Sequence, residues 1–405
     1  MNSAPRGVRH GFRDATALRA LLVSVIITTG IVVHEQRSGA QSAFQWTPEQ
    51  WMHHSRTHLV HRVFYERPMT TRPALLMIEQ LGLTPVLAYS LIWLPALCVL
   101  GWSCFVLGRA VTDSEAGGWG SLALTMLSWP MIHLFSLPSA AWDDPVQFMF
   151  LSTALAWFAV CWRQQRPAVG WAGYFIFYSL GLLARDSGLL LMPALLLLVL
   201  TLPERTTFAT VLRTGTLVLS PATTLALWQL WVRQREVAWS PGIPRDQHAR
   251  LNFANGWESL HSLTAAAAVL VPFCYLLVLS RRHLARRVWW ALWVAVVPNT
   301  VVVLLATLAH EFRLFFLPVL VLAPIVGWAA RDELALPFRR HNLMELLDGN
   351  AVVLLALVGL ATVALAAYGF PGRPMPHRNL DSVAPLLFTA LHAVAWHRAR
   401  LTSRP

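Results

Sequence analysis

The chain has 405 residues and a formal net charge of +12, with 56% hydrophobic and only 13% charged residues. A soluble globular domain carries about 25% charged residues, so this composition excludes that class. The basic residues are all arginine and are scattered through short segments between apolar runs, which argues against a nucleic-acid surface. The four cysteines, Cys98, Cys104, Cys161 and Cys274, all fall in apolar runs without CxxC spacing. They read as small core residues rather than a disulfide or zinc framework.

Apolar runs of spanning length recur along the chain, and only helices or closed barrels can satisfy their backbone in lipid. The fold expected is an all-α, polytopic transmembrane helical bundle of about twelve spans in one membrane domain covering 1–405. The first span, residues 18–33, follows Arg6, Arg9, Arg13 and Arg19 and leads to no small-residue cleavage site. It reads as a retained span with its N-terminus inside. A long polar segment follows at 35–72, with an amphipathic interfacial helix at 48–64 and a short helix at 73–83.

Spans two to seven are expected at 84–107, 117–135, 146–162, 169–183, 187–202 and 211–232. Between spans five and six lies a tight outer hairpin holding Arg185 and Asp186. A second long outer loop occupies 233–261, and span eight follows at 262–280. Arg281, Arg282, Arg286 and Arg287 then give the strongest positive-inside signal in the chain. Spans nine to twelve are expected at 288–309, 314–328, 351–368 and 383–396, with the C-terminus inside. Arginine placement therefore implies that both termini are cytoplasmic; the membrane expected is a bacterial-type inner membrane.

On this topology four charged clusters share the outer face: Glu35, Asp143 with Asp144, Arg185 with Asp186, and His310-Glu311 with Arg313. Charge near lipid is costly and marks function more often than not. Acids and arginines at a water–lipid boundary suit a substrate that is half lipid and half polar, such as a lipid phosphate. Arg185 and Arg313 would meet the phosphate. A carboxylate would act as general base on an acceptor hydroxyl, or would hold a divalent cation, Mg or Mn.

The order of these features resembles the GT-C class of integral-membrane glycosyltransferases, which use polyprenyl-phosphate-linked sugars. The resemblance covers roughly residues 18–330. It rests on an acid outside span one, a long first outer loop, the acidic pair after span three, and Glu311-Phe312-Arg313 ahead of Pro318 and Pro324. Ala184-Arg185-Asp186-Ser187-Gly188 is similar to a charged hairpin motif of bacterial members. The chain departs from the pattern in its first outer loop, which lacks Asp; Glu35, Glu49 and Glu66 are the acids there.

The resemblance implies Glu35, Asp143 and Asp144 as catalytic residues. It implies Arg185, Asp186, His310, Glu311 and Arg313 as substrate-binding residues. The donor would be a polyprenyl-phosphate sugar, the acceptor a lipid, glycan or protein, with membrane lipids around the chain and no nucleic acid.

Plainer readings stand beside these. Asp143 and Asp144 could cap a helix that starts at Pro145. Arg185 and Asp186 could be a structural ion pair closing the hairpin, and Glu311 and Arg313 could snorkel to the interface. His54 and His58 have i,i+4 spacing for a metal, but no HExxH pattern supports it. Two other classes of function stay open: a transporter or lipid flippase, and a non-catalytic membrane scaffold. A transporter needs polar groups at mid-membrane, where the sequence offers little beyond His133, Gln147 and Asn299.

Overall fold

The computed structural model describes residues 14–37, 47–60, 68–132, 143–201, 207–234, 245–254, 256–306, 315–338 and 376–402. Among the described residues the regular structure is helical, with no strand. In chain order the helices are α1 (Ala15–Arg37), α2 (Pro48–Val60), α3 (Thr71–Leu81), α4 (Pro85–Thr112), α5 (Glu115–Met126) and the single turn α6 (Trp129–Ile132). Next come α7 (Asp144–Arg163), α8 (Pro167–Ala184), a 3-10 helix (Asp186–Leu191), α9 (Met192–Val199) and α10 (Phe208–Arg233). The rest are α11 (Arg245–Asn252), α12 (Gly256–Ser280), α13 (Arg286–Ala306), α14 (Val319–Ala329), α15 (Arg331–Ala335) and α16 (Pro376–Thr402).

Six of the described helices are long and apolar enough to cross a membrane: Ala15–Val33 of α1, α4, α7, α8, Ser262–Ser280 of α12, and Arg286–Leu305 of α13. These match expected spans one, two, four, five, eight and nine. Other expected spans take different forms. Span three is the 12-residue α5 followed by a break at Leu127 and Ser128. Such a helix is about 18 Å long, short of the ~30 Å hydrocarbon core. Span six divides into the 3-10 helix and the eight-residue α9, which restarts at Pro193. Span ten is the 11-residue α14, and span seven is the long but less apolar α10. Span eleven lies outside the described residues, and span twelve falls within α16.

Packing fixes which ends of the helices coincide. The Ser24 hydroxyl donates to the Cys98 carbonyl at 2.9 Å, and Asp14 pairs with Arg109 at 2.7 Å, so α1 runs antiparallel to α4. The Thr16 hydroxyl reaches Glu115 at 3.1 Å, and Arg163 reaches Asp113 at 3.7 Å and the Val111 carbonyl at 3.3 Å. One end of the bundle therefore gathers the start of α1, the turn from α4 to α5 and the end of α7. The opposite end holds the starts of α4 and α7 and the end of α8. The backbone of Glu35, in the last turns of α1, lies toward that opposite end.

Small residues allow the closest approaches. A Cβ at Gly108 would lie 2.5 Å from the Ser121 Cβ and 2.6 Å from the Gly117 carbonyl oxygen, so α4 and α5 meet almost backbone to backbone. The short α14 threads the middle of the bundle, packed on α5, α4 and α12, with Val319 to Pro324 all buried.

Candidate functional site

The site is built on the start of α7. Pro145 has no N–H to leave unsatisfied, so the helix begins there readily. Asp143 occupies the cap position, yet its carboxylate makes no capping hydrogen bond. Its backbone carbonyl accepts from the Gln147 N–H at 2.9 Å instead. The acidic pair thus sits at the start of the helix as the capping reading expects, without a side-chain cap hydrogen bond. Asp143 is 1% exposed and Asp144 2% exposed.

Across from them, α8 stops at Ala184 and Arg185 adopts extended backbone, with φ −162° and ψ 134°. The 3-10 helix that follows is pinned by the Tyr178 hydroxyl, which donates to the Gly188 carbonyl at 2.7 Å. This sharp turn sets Arg185 against α7. Its guanidinium donates to the Asp144 carboxylate, and the residue is only 7% exposed. Arg185 thus pairs with Asp144 on a neighbouring helix, and Asp186 beside it is half-buried.

Gln147, one turn along α7, is fully buried. Its amide nitrogen donates to the Arg185 carbonyl, and its amide oxygen accepts from the Ser187 hydroxyl at 3.0 Å. Asn299 of α13 is also fully buried and faces the same space. Asp144, Gln147, Arg185, Ser187 and Asn299 together line a cavity of about 40 Å³, closed by Phe148, Val303 and Leu317. That volume holds a few waters.

Both long polar segments reach this end. In α2, Trp51 is buried and stacks on Tyr89 at 5.0 Å, with Trp93 at 5.6 Å, and Ser55 hydrogen-bonds the Tyr89 hydroxyl at 2.9 Å. Asp143 is within electrostatic reach of that phenol. A helix therefore forms within the expected 48–64, over Pro48–Val60, and its Trp51–Ser55 face docks on α4. In the second long segment, α11 packs on α13: the Asn252 amide donates to the Leu304 carbonyl at 2.8 Å, beside Val303 of the cavity wall.

The remaining sequence candidates divide as follows. His310, Glu311 and Arg313 lie outside the described residues, as do Glu66 and His133; the side chains of Glu35, His54 and His58 also lie outside them. Glu49 is exposed in the first turn of α2; its own backbone N–H and the Thr47 hydroxyl hold its carboxyl below the usual range. Sequence alone assigns no role to Ser187 and counts Gln147 and Asn299 only as polar residues within spans. Gln147 was the findable one, since it lies three residues after Asp144 on the same helical face.

Of the carboxylates that could hold a divalent cation, Asp143 and Asp144 are described, while the side chains of Glu35 and Glu311 lie outside the described residues. Asp144 gives an oxygen to Arg185, and no group of three His, Cys, Asp or Glu side chains forms among the described residues. No family model, curated protein or solved structure matches the chain.

Proposed function

We propose that this protein is a membrane glycosyltransferase that moves a sugar from a polyprenyl-phosphate-linked donor to a lipid, glycan or protein acceptor. The observation that carries the reading is the burial of Asp143, Asp144 and Arg185 together at one end of an apolar bundle. Desolvating such groups costs several kcal/mol per ion, so a fold with no use for them is better off without them.

In this reading Asp144 holds Arg185 toward the position of the donor phosphate. Asp143 takes the proton from the acceptor hydroxyl as its oxygen bonds to the sugar C1. The C1–O bond to phosphate breaks, and the leaving polyprenyl phosphate keeps the electron pair beside the guanidinium. Glu35, Asp186, His310, Glu311 and Arg313 complete the proposed set on sequence grounds. The cavity is too small for a sugar, because ligand pockets run to about 300 Å³ or more. Donor binding must therefore part α13 from α7.

The test is sugar transfer from a labelled polyprenyl-phosphate donor in membranes carrying wild type or the Asp143→Asn, Asp144→Asn double variant. A folded double variant should lose transfer by at least a hundredfold, the usual effect of removing a general base. Undiminished transfer eliminates this site. Substrate uptake by proteoliposomes lacking any lipid donor would favour a transporter instead.

A further inference from the structure

A second concave feature lies at the opposite end of the bundle. It is an open groove of about 530 Å³ between the first turns of α8 and α10. Its lining is mostly apolar, with Trp171, Leu212 and Leu217, and includes Arg213. Among the described residues that line it, none is acidic. Trp171 is packed edge-on to Tyr174 at 5.6 Å and against Phe158 at 4.6 Å.

Exposed arginines outnumber the acids at this end of the bundle, where Asp113 partners Arg163 at 3.7 Å and Glu115 accepts from Thr16. α13 lines the acidic cavity near its C-terminal end, so Arg286 and Arg287 at its start share the groove's end of the bundle. Arg163 and Arg166, in the turn from α7 to α8, are there too. All of these arginines are exposed. An apolar trough between helices, entered beside a guanidinium within an arginine belt, matches one chemistry: acyl chain below and anionic headgroup above.

We infer that the α8–α10 groove binds an anionic phospholipid of the surrounding bilayer, with its phosphate at Arg213 and an acyl chain along Trp171. Zwitterionic lipids offer the same chain without the net charge, so headgroup charge is the discriminating property. The site is separate from the acidic cavity and does not depend on the glycosyltransferase reading.

The full-length chain, purified in detergent, is offered equal amounts of phosphatidylglycerol and phosphatidylcholine, and retained lipid is counted by native mass spectrometry. Wild type should retain phosphatidylglycerol preferentially. Arg213→Gln should cut that preference about fivefold, the effect of one basic residue near an anionic surface. Ala209→Trp, which fills the groove without touching charge, should reduce retention of both lipids. Arg282→Gln removes an exposed arginine that does not line the groove and should change nothing. Equal retention of the two lipids by wild type overturns the inference. So does an Arg213→Gln variant that behaves as wild type, or an Arg282→Gln variant that loses as much. Helical content by circular dichroism confirms that each variant is folded.

Discussion

The side chain of Gln147 grips the main chain of Arg185, and the Arg185 guanidinium in turn grips Asp144, three residues back on the helix that carries Gln147. This loop of contacts fixes the arginine at both its backbone and its tip. The extended Arg185 donates its N–H to the Gly181 carbonyl, and the Gln147 amide adds a side-chain hydrogen bond to the Arg185 carbonyl where α8 ends. Gln147→Leu keeps the volume and removes both hydrogen bonds. It should destabilise the protein by about 1–3 kcal/mol, since two buried partners lose their bonds. Thermal unfolding in detergent measures this, with Ser187→Ala expected to cost about 1 kcal/mol.

The ion pair itself predicts strong non-additivity. Arg185→Met leaves the Asp144 carboxylate buried opposite an apolar chain, which should cost about 3–5 kcal/mol. Adding Asp144→Asn to that variant removes the stranded charge and should restore much of the loss. A double-mutant cycle read by unfolding should show coupling of at least ~1 kcal/mol. Additive losses would mean that the two groups do not depend on each other.

At the other end, burial pushes the Asp14 carboxyl up, but the Arg109 guanidinium and the Ala17 N–H outweigh it and hold the group below its ordinary value of 3.8. A carboxyl lowered by folding contributes stability that is present above its unfolded pKa and lost as pH falls through the folded one. The stability difference between wild type and Asp14→Asn should therefore stay level from neutral pH to about 4 and shrink below it. A difference that grew on acidification would contradict the pairing. Because Asp14 is partly exposed, high salt should also weaken the effect.

Helix contact through glycine gives a paired test. Gly108→Ala forces a methyl into Ser121 and the Gly117 backbone, so α4 and α5 must separate, at about 1–3 kcal/mol. Gly120→Ala meets nothing within 4 Å on the same α5 helix and should be neutral or stabilising by up to about 1 kcal/mol. Comparing the two unfolding temperatures separates crowding from helix propensity.

The long spans were legible because an uninterrupted apolar run of about 20 residues has few other folds open to it. α4, α7, α8 and α13 lie close to where hydropathy puts them. Asp143 and Asp144 were legible as a helix start because Pro145 follows. Spans three and six were not legible as broken elements, because hydropathy reports burial and not whether backbone hydrogen bonding continues. The break after Met126 is made by Ser128, whose hydroxyl turns back to the Thr125 carbonyl at 2.8 Å, and the break near Leu191 by Pro193. The polar set around the cavity was hidden for another reason. Asn299 and Gln147 meet only through tertiary packing of α13 beside α7, and neither residue's neighbours in sequence announce it.

The short central helix α14 has a consequence for how the protein is made. At about 16 Å it cannot bridge the hydrocarbon by itself, and nearly all its surface is turned toward other helices rather than lipid. A translocon that releases segments sideways into the bilayer has no reason to leave this one there alone. It must be handed directly into a vestibule formed by α4, α5 and α12, which are synthesised before it. Chains truncated ahead of Val319 would then expose an unfilled apolar hollow and should be the form that quality-control proteases remove.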